Sequence, residues 1–323
     1  MSLKTVTRQA LVGMIRAAAL TAAFFLAGGA LPFVGIVLTL MVPAPILAYA
    51  AARPDAKWRM ASALTLALAL VALVAGPMAA VGYAATFGVA TLVMSLMLDR
   101  ERSFESIVLV ATAAVLVTGG ALLLAVAGSP LALANMVHDA LAAGMARSEQ
   151  FYKTLGMGSG IDAESREQML DLVVRLSPAI AVMSTAFTVM INLLFFWRRF
   201  GKQRLSSPLF GDLALWHAPE WVIWLLLASG FGLFLPIAPL RAVAMDTFIC
   251  AAAIYFCQGA AIAIYYFRML SVPVAIRGIV LCVVMLQPVL AALVCITGVF
   301  DMWVDFRRLK HPGKEAGSFG DFL

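Results

Sequence analysis

Four polar side chains lie where the sequence is otherwise apolar: Asn192, Asp246, Gln258 and Gln287. A polar group in hydrocarbon is costly unless it is paired, so each is a candidate for ligand binding. Asp246 follows Arg241 by five residues. It could hold a proton or a ligand, or it could sit near the interface, paired with Arg241 or water. Gln258 (beside Gly259), Gln287 (before Pro288) and Asn192 could hydrogen-bond a ligand, or they could join one helix to another. The remaining chemistry-bearing residues do not converge. His138, His217 and His311 are far apart, and Cys250, Cys257, Cys282 and Cys295 are scattered through apolar stretches without a CxxC spacing. No metal site and no cofactor are expected from this pattern. No HExxH, Walker A or GxSxG motif is present, so neither an enzyme nor an ATPase is expected.

The elements that must carry these residues are membrane spans. Of the 323 residues, 63% are hydrophobic and 12% charged. A soluble domain is roughly half apolar and about a quarter charged. The formal charge of +6 does not indicate nucleic acid, because the basic residues cluster at the ends of apolar segments. With roughly 20 residues needed per crossing, nine segments emerge, near 11–31, 33–52, 60–76, 78–98, 107–128, 176–197, 221–240, 242–267 and 278–300. Lys4, Arg8 and Arg16 ahead of 17–31 resemble a signal peptide, but the many later segments make this a retained first span. Pro43 and Pro45 each remove a backbone donor, so the second segment should be kinked or broken, either for packing or to line a cavity. In the first segment Ala18 and Ala22, and equally Ala19 and Ala23, form small faces that permit close helix approach.

The stretch 129–175 is the polar exception. Its apolar residues Leu133, Val137, Leu141 and Met145 follow helical spacing, Gly156, Gly158 and Gly160 break the pattern, and Asp162 is placed to cap a second helix. The expected organisation is an N-terminal bundle 1–128, an amphipathic helical insert 129–175, a C-terminal bundle 176–305 with three or four crossings, and a polar tail 306–323. With the N-terminus in the cytoplasm and nine crossings, fourteen Lys and Arg fall inside and nine outside. That places the insert outside the cytoplasm. The tail, with Arg307, Arg308, Lys310 and Lys314, is the misfit, and one crossing fewer after Arg204 would bring it inside. The fold expected is therefore an all-α polytopic transmembrane bundle of eight or nine spans with an extracytoplasmic amphipathic insert.

Several short motifs carry a resemblance. Tyr255 to Gly259, then Tyr265-Tyr266-Phe267, then the run from Gly298 through Asp301 and Asp305 to Arg307 resemble the end of the YybS-like family of bacterial membrane proteins. Leu31-Pro32 and the run from Val42 to Pro45 are similar to that family's N-terminal hairpin. The resemblance implies kinship with the substrate-binding membrane subunits of energy-coupling-factor vitamin importers. Those are six-helix subunits that dock a transmembrane coupling protein through an AxxxA face on the first helix. Ala18 and Ala22 would be the matching positions. The expected partners are then the lipid bilayer and a coupling-factor ATPase complex, with Asp246, Gln258, Gln287 and Asn192 as ligand-binding candidates. The alternative is a non-transporting scaffold or regulator whose 129–175 insert binds an extracytoplasmic protein.

Overall fold

Prolines and small polar residues set the helix ends of this chain. A computed structural model describes residues 3–31, 34–52, 57–154, 156, 162–204 and 213–307. They form α1 (Leu3–Ala30), α2 (Val34–Leu40), α3 (Ala44–Ala52), α4 (Lys57–Ala75), α5 (Pro77–Tyr83), α6 (Val89–Leu98), α7 (Phe104–Ala127), α8 (Pro130–Thr154), α9 (Ala163–Arg204), α10 (Val222–Gly232), α11 (Ala238–Met269), α12 (Val274–Leu286) and α13 (Pro288–Val304). A π-helical turn, Ala84–Gly88, joins α5 to α6, and a short 3-10 turn, Leu213–Leu215, precedes α10. There is no strand among the described residues, and the fold is all-α.

The boundaries have local causes. The Ser103 hydroxyl accepts the Ser106 N–H at 3.4 Å to start α7, and Gly128, at φ 75°, closes it. Ser129 accepts the Ala132 N–H at 3.2 Å and Pro130 opens α8, where its missing donor costs nothing. Asp162 accepts the Ser165 N–H at 3.2 Å at the start of α9.

The chain divides into two compact units, Met1–Leu209 and Phe210–Leu323. The first holds six candidate spans: Arg8–Ala30, Val34–Ala52, Trp58–Ala75, Pro77–Leu98, Phe104–Ala127 and Glu164–Phe200. Its core gathers Ala17, Ala18 and Ala22 of α1, Val42 and Ile46 at the second span, and Met60, Ala63, Ala67 and Val71 of α4, with Ala80 and Tyr83 of α5. Small residues repeated every four positions on α1 and α4 let these two helices approach closely. The insert belongs to this unit, and so does the sixth span. The dividing line therefore falls after span six, beyond the insert.

The second unit narrows the span count. The segment expected at 221–240 is helical only over α10, 11 residues or about 17 Å, too short for a hydrocarbon core of about 30 Å. The chain then turns through Leu233, Phe234 and Leu235 before α11 begins. The last segment is broken at Gln287-Pro288 into α12 and α13, bent by 104°. The described residues thus contain seven candidate spans, or eight if the bent pair counts as one, against the eight or nine expected.

The insert forms two helices, as its spacing implies. Leu133, Val137, Leu141 and Met145 of α8 are half-buried, while Ala134, Asp139, Ala143 and Arg147 are exposed. Glu149 near the end of α8 bridges to Lys153 at 2.8 Å and to Arg166 of α9 at 3.2 Å. Gly156 has φ 75°, a conformation that suits the turn between the helices. From Ala163, α9 runs through Pro178 into the membrane as one 42-residue helix. Pro32, Arg53, Leu155, Gly158, Gly160, the 205–212 stretch and the tail from Arg308 lie outside the described residues.

Candidate functional site

Span two is discontinuous, and the discontinuity collects polar groups. The turn between α2 and α3 tightens: Met41 N donates to Leu38 O at 3.0 Å, Val42 N to Thr39 O at 3.3 Å and Ala44 N to Met41 O at 3.1 Å. Pro43 and Pro45 supply no donors. The Leu40 and Val42 carbonyls are taken by side chains from other helices. Asn192 of α9 donates through Nδ2 to Leu40 O at 2.7 Å, and the Thr21 hydroxyl of α1 donates to Val42 O. Non-helical backbone at membrane depth persists only where protein or a wet cavity meets it, and here protein side chains meet it.

Asn192 is fully buried at 0% exposure, and its Nδ2 also donates to Thr188 O at 2.7 Å. Its Oδ1, equally buried, accepts no hydrogen bond from any described residue. Tyr83, 1% exposed, pairs with Thr21, and its ring meets Phe25 edge-on at 5.4 Å. The π-helical turn follows at once, with its Ala85 carbonyl accepting the Thr118 hydroxyl of α7 at 2.8 Å. Such turns are often found at functional sites. Four elements of the first unit thus converge on one neutral polar cluster: Thr21, Tyr83, Asn192 and the broken second span. Among the described residues the buried polar ones of this unit, Thr21, Thr91, Thr112, Thr188 and Asn192, are all uncharged.

Of the residues expected from the sequence, Asn192 joins this cluster. Ala18 and Ala22 lie beside it, at 0% and 3% exposure, inside the unit's own core. That face is therefore covered by the protein itself, whereas Ala19 and Ala23 on the same helix are exposed. Thr21, Tyr83 and the π-helical turn went unread, because a lone hydroxyl in an apolar helix has no period or motif to announce it.

Gln258, Asp246 and Gln287 belong to the second unit and do not share a site. Gln258 is 2% exposed and fully engaged. Its Oε1 accepts the Ala218 N–H at 3.1 Å and its Nε2 donates to Asp301 Oδ2 at 3.0 Å. Asp301 also accepts the Phe306 N–H at 3.0 Å and pairs with the Arg307 guanidinium at 2.7 Å. Arg307 in turn donates to the carbonyls of Ala214 and Trp216 at 2.7 and 2.9 Å. Gln258 thus holds the end of α13 and the 213–218 segment together. Its neighbour Gly259 serves the same crossing: a Cβ there would overlap the Val294 carbonyl, and one on Gly298 would overlap the Tyr255 carbonyl. Asp246 sits three turns earlier on α11, half-buried, with Oδ1 lacking a described partner. Gln287 is exposed at the α12–α13 bend. Asp301 and Arg307 stand in the sequence only as part of a family motif and, for Arg307, of a basic tail; the fold joins them to Gln258 in one buried network.

Among the described residues no group of three or more His, Cys, Asp or Glu could hold a metal ion. The four cysteines are free. No curated protein and no solved structure matches the chain. One family does: residues 19–302, from within α1 to near the end of α13, match "Predicted membrane protein (DUF2232)", and with both units and the polar cluster inside that match, the chain belongs to this family.

Proposed function

We propose that the protein captures a small solute within its first unit, at the cytoplasmic membrane of a bacterium, and binds it without transforming it. The observation that carries this reading is the neutral polar cluster sealed inside six spans, with one buried acceptor, Asn192 Oδ1, left over. Irregular backbone at membrane depth recurs in solute-binding membrane proteins because it exposes polar groups where a ligand can reach them. Six spans is also the size of the importer subunits that the sequence resembles. The N-terminus is placed in the cytoplasm and the α8–α9 hairpin outside, which keeps the loop cations 53–59, 100–102 and 198–204 inside. Energy would come from a separate coupling ATPase. Because Ala18 and Ala22 are buried, the faces of α1 left for such a partner are those bearing Leu11, Val12 and Ile15, and Ala19 with Ala23.

The test is purification of the full chain from its native host, followed by denaturation and mass spectrometry of what is released. A stoichiometric small molecule, depleted in Asn192→Leu, is expected. Absence of both a released solute and a co-purifying ATPase subunit would count decisively against this reading. A scaffold role for the α8–α9 hairpin has its own support, since α8 buries none of its residues fully and Met169 and Leu172 of α9 are each 49% exposed. Deleting residues 131–160 separates the two: solute retention in that variant favours capture, and loss of a co-purifying extracytoplasmic protein favours the scaffold.

A further inference from the structure

The cluster at the broken second span has an imbalance that names a ligand class. The Asn192 amide is fully buried; both of its N–H groups are used, and its Oδ1 is not. A buried acceptor left alone is costly, so an electropositive species belongs beside it. The oxygens within reach of the amide are the Thr188 and Leu40 carbonyls, which its NH₂ now holds, and the Val42 carbonyl with its Thr21 hydroxyl lies two residues further along the break. No carboxylate, imidazole, ammonium or guanidinium is among the buried residues of this unit that the structure describes. An anion would find no free donor there. A divalent cation would find no carboxylate, and Ca²⁺ and Mg²⁺ sites need that charge to offset dehydration.

We propose that the break in span two is a binding site for a small monovalent cation, an alkali ion or ammonium, with Asn192 Oδ1 as its principal side-chain ligand. Neutral carbonyl, hydroxyl and amide oxygens suffice to replace the hydration shell of a singly charged ion, and unwound span backbone is where membrane proteins present them. The amide is also built to respond. Its NH₂ now donates to the Leu40 and Thr188 carbonyls, and turning the amide over would put Oδ1 among those same carbonyls. The ion site rests on the same cluster as the solute-capture reading, but it is assayed without any solute, so either can fail alone.

The experiment is thermal unfolding of the full-length protein in detergent at constant ionic strength. Na⁺, K⁺ and NH₄⁺ are each titrated against N-methylglucamine, which is too large for the site. One small cation is expected to raise the midpoint with the logarithm of its concentration above the dissociation constant, by about 5 °C at a hundredfold excess. The rise should vanish in Asn192→Leu. Should that variant fail to fold, Asn192→Asp provides the check: it keeps the oxygen, adds charge, and should give the same rise at a cation concentration at least tenfold lower. Equal midpoints in all four salts, meaning an ordered water only, would overturn the proposal. So would a cation response that persists unchanged in Asn192→Leu or is no tighter in Asn192→Asp.

Discussion

Asp301 and Arg307 form an ion pair whose side chains are only 4% and 1% exposed; Gln258, the Phe306 N–H and two carbonyls hydrogen-bond to it, while Arg307 Nε has no partner among the described residues. Removing one member strands the other charge in a dry site, so Asp301→Asn should lower stability by about 3–5 kcal/mol. Replacing both, as Asp301→Leu with Arg307→Met, should cost less than either single change. Denaturant titration of the four proteins gives the cycle, and a near-neutral single variant would show that the pair is solvated. In the first unit Thr21→Val keeps the shape of the side chain but leaves the Val42 carbonyl without its donor, at a cost of about 1–3 kcal/mol. The same titration measures it. Both predictions concern groups that the sequence shows only as isolated letters. Gln258 was singled out for its place in an apolar run; its partner Asp301 lies 43 residues away, and no spacing rule links them.

Helices meet most closely where α11 crosses α13. Gly259→Val and Gly298→Val would each drive a side chain into the backbone of the opposing helix. Each is expected to abolish a monodisperse peak in size-exclusion chromatography, whereas Gly278→Val, where a Cβ meets nothing within 4 Å, should leave it intact. At the start of α9 the Asp162 carboxyl is held below its ordinary value by the Ser165 hydroxyl and N–H. A depressed acid stabilises above its unfolded value and loses that contribution as the pH falls through its folded one. Hydrogen-exchange protection of the first α9 turn should therefore drop as the pH falls below the ordinary carboxylate value of about 4. Asp162→Asn should flatten that dependence. The α9 start was legible because a cap is a local interaction, three residues long. The break in span two was equally legible from Pro43 and Pro45; what fills it was not, since Thr21 and Asn192 come from opposite ends of the first unit's sequence.

At the scale of the whole molecule the open question is which side the tail occupies. Six crossings in the first unit return the chain to the side of its N-terminus. If α11 crosses and the bent α12–α13 pair crosses back, the C-terminus lies in the cytoplasm with its cluster of basic residues. A fluorescent reporter fused after Lys314 should therefore be active and an alkaline phosphatase fused there silent; the reverse pattern would mean that α12–α13 enters and leaves on one face.

Composition, hydropathy and turn chemistry determined the membrane class, the helical content, the insert and most helix ends, because each depends on contacts within a few residues. Counting spans from hydropathy left room for one more only where apolar residues form a short or bent helix, as in α10 and the α12–α13 pair, since lipid and protein interior favour the same letters. Tertiary structure alone decided the partition into a six-span unit and a second unit, and the burial of Ala18 and Ala22 against their own bundle. It also decided the separate fates of the four polar candidates. Asn192 completes a cluster at the broken span, Gln258 is spent on an ion pair, and Asp246 and Gln287 stand apart. The physical reason is the same in each case: whether a buried polar group is a ligand, a strut or a cap depends on which other donor or acceptor the fold brings to within 3 Å of it.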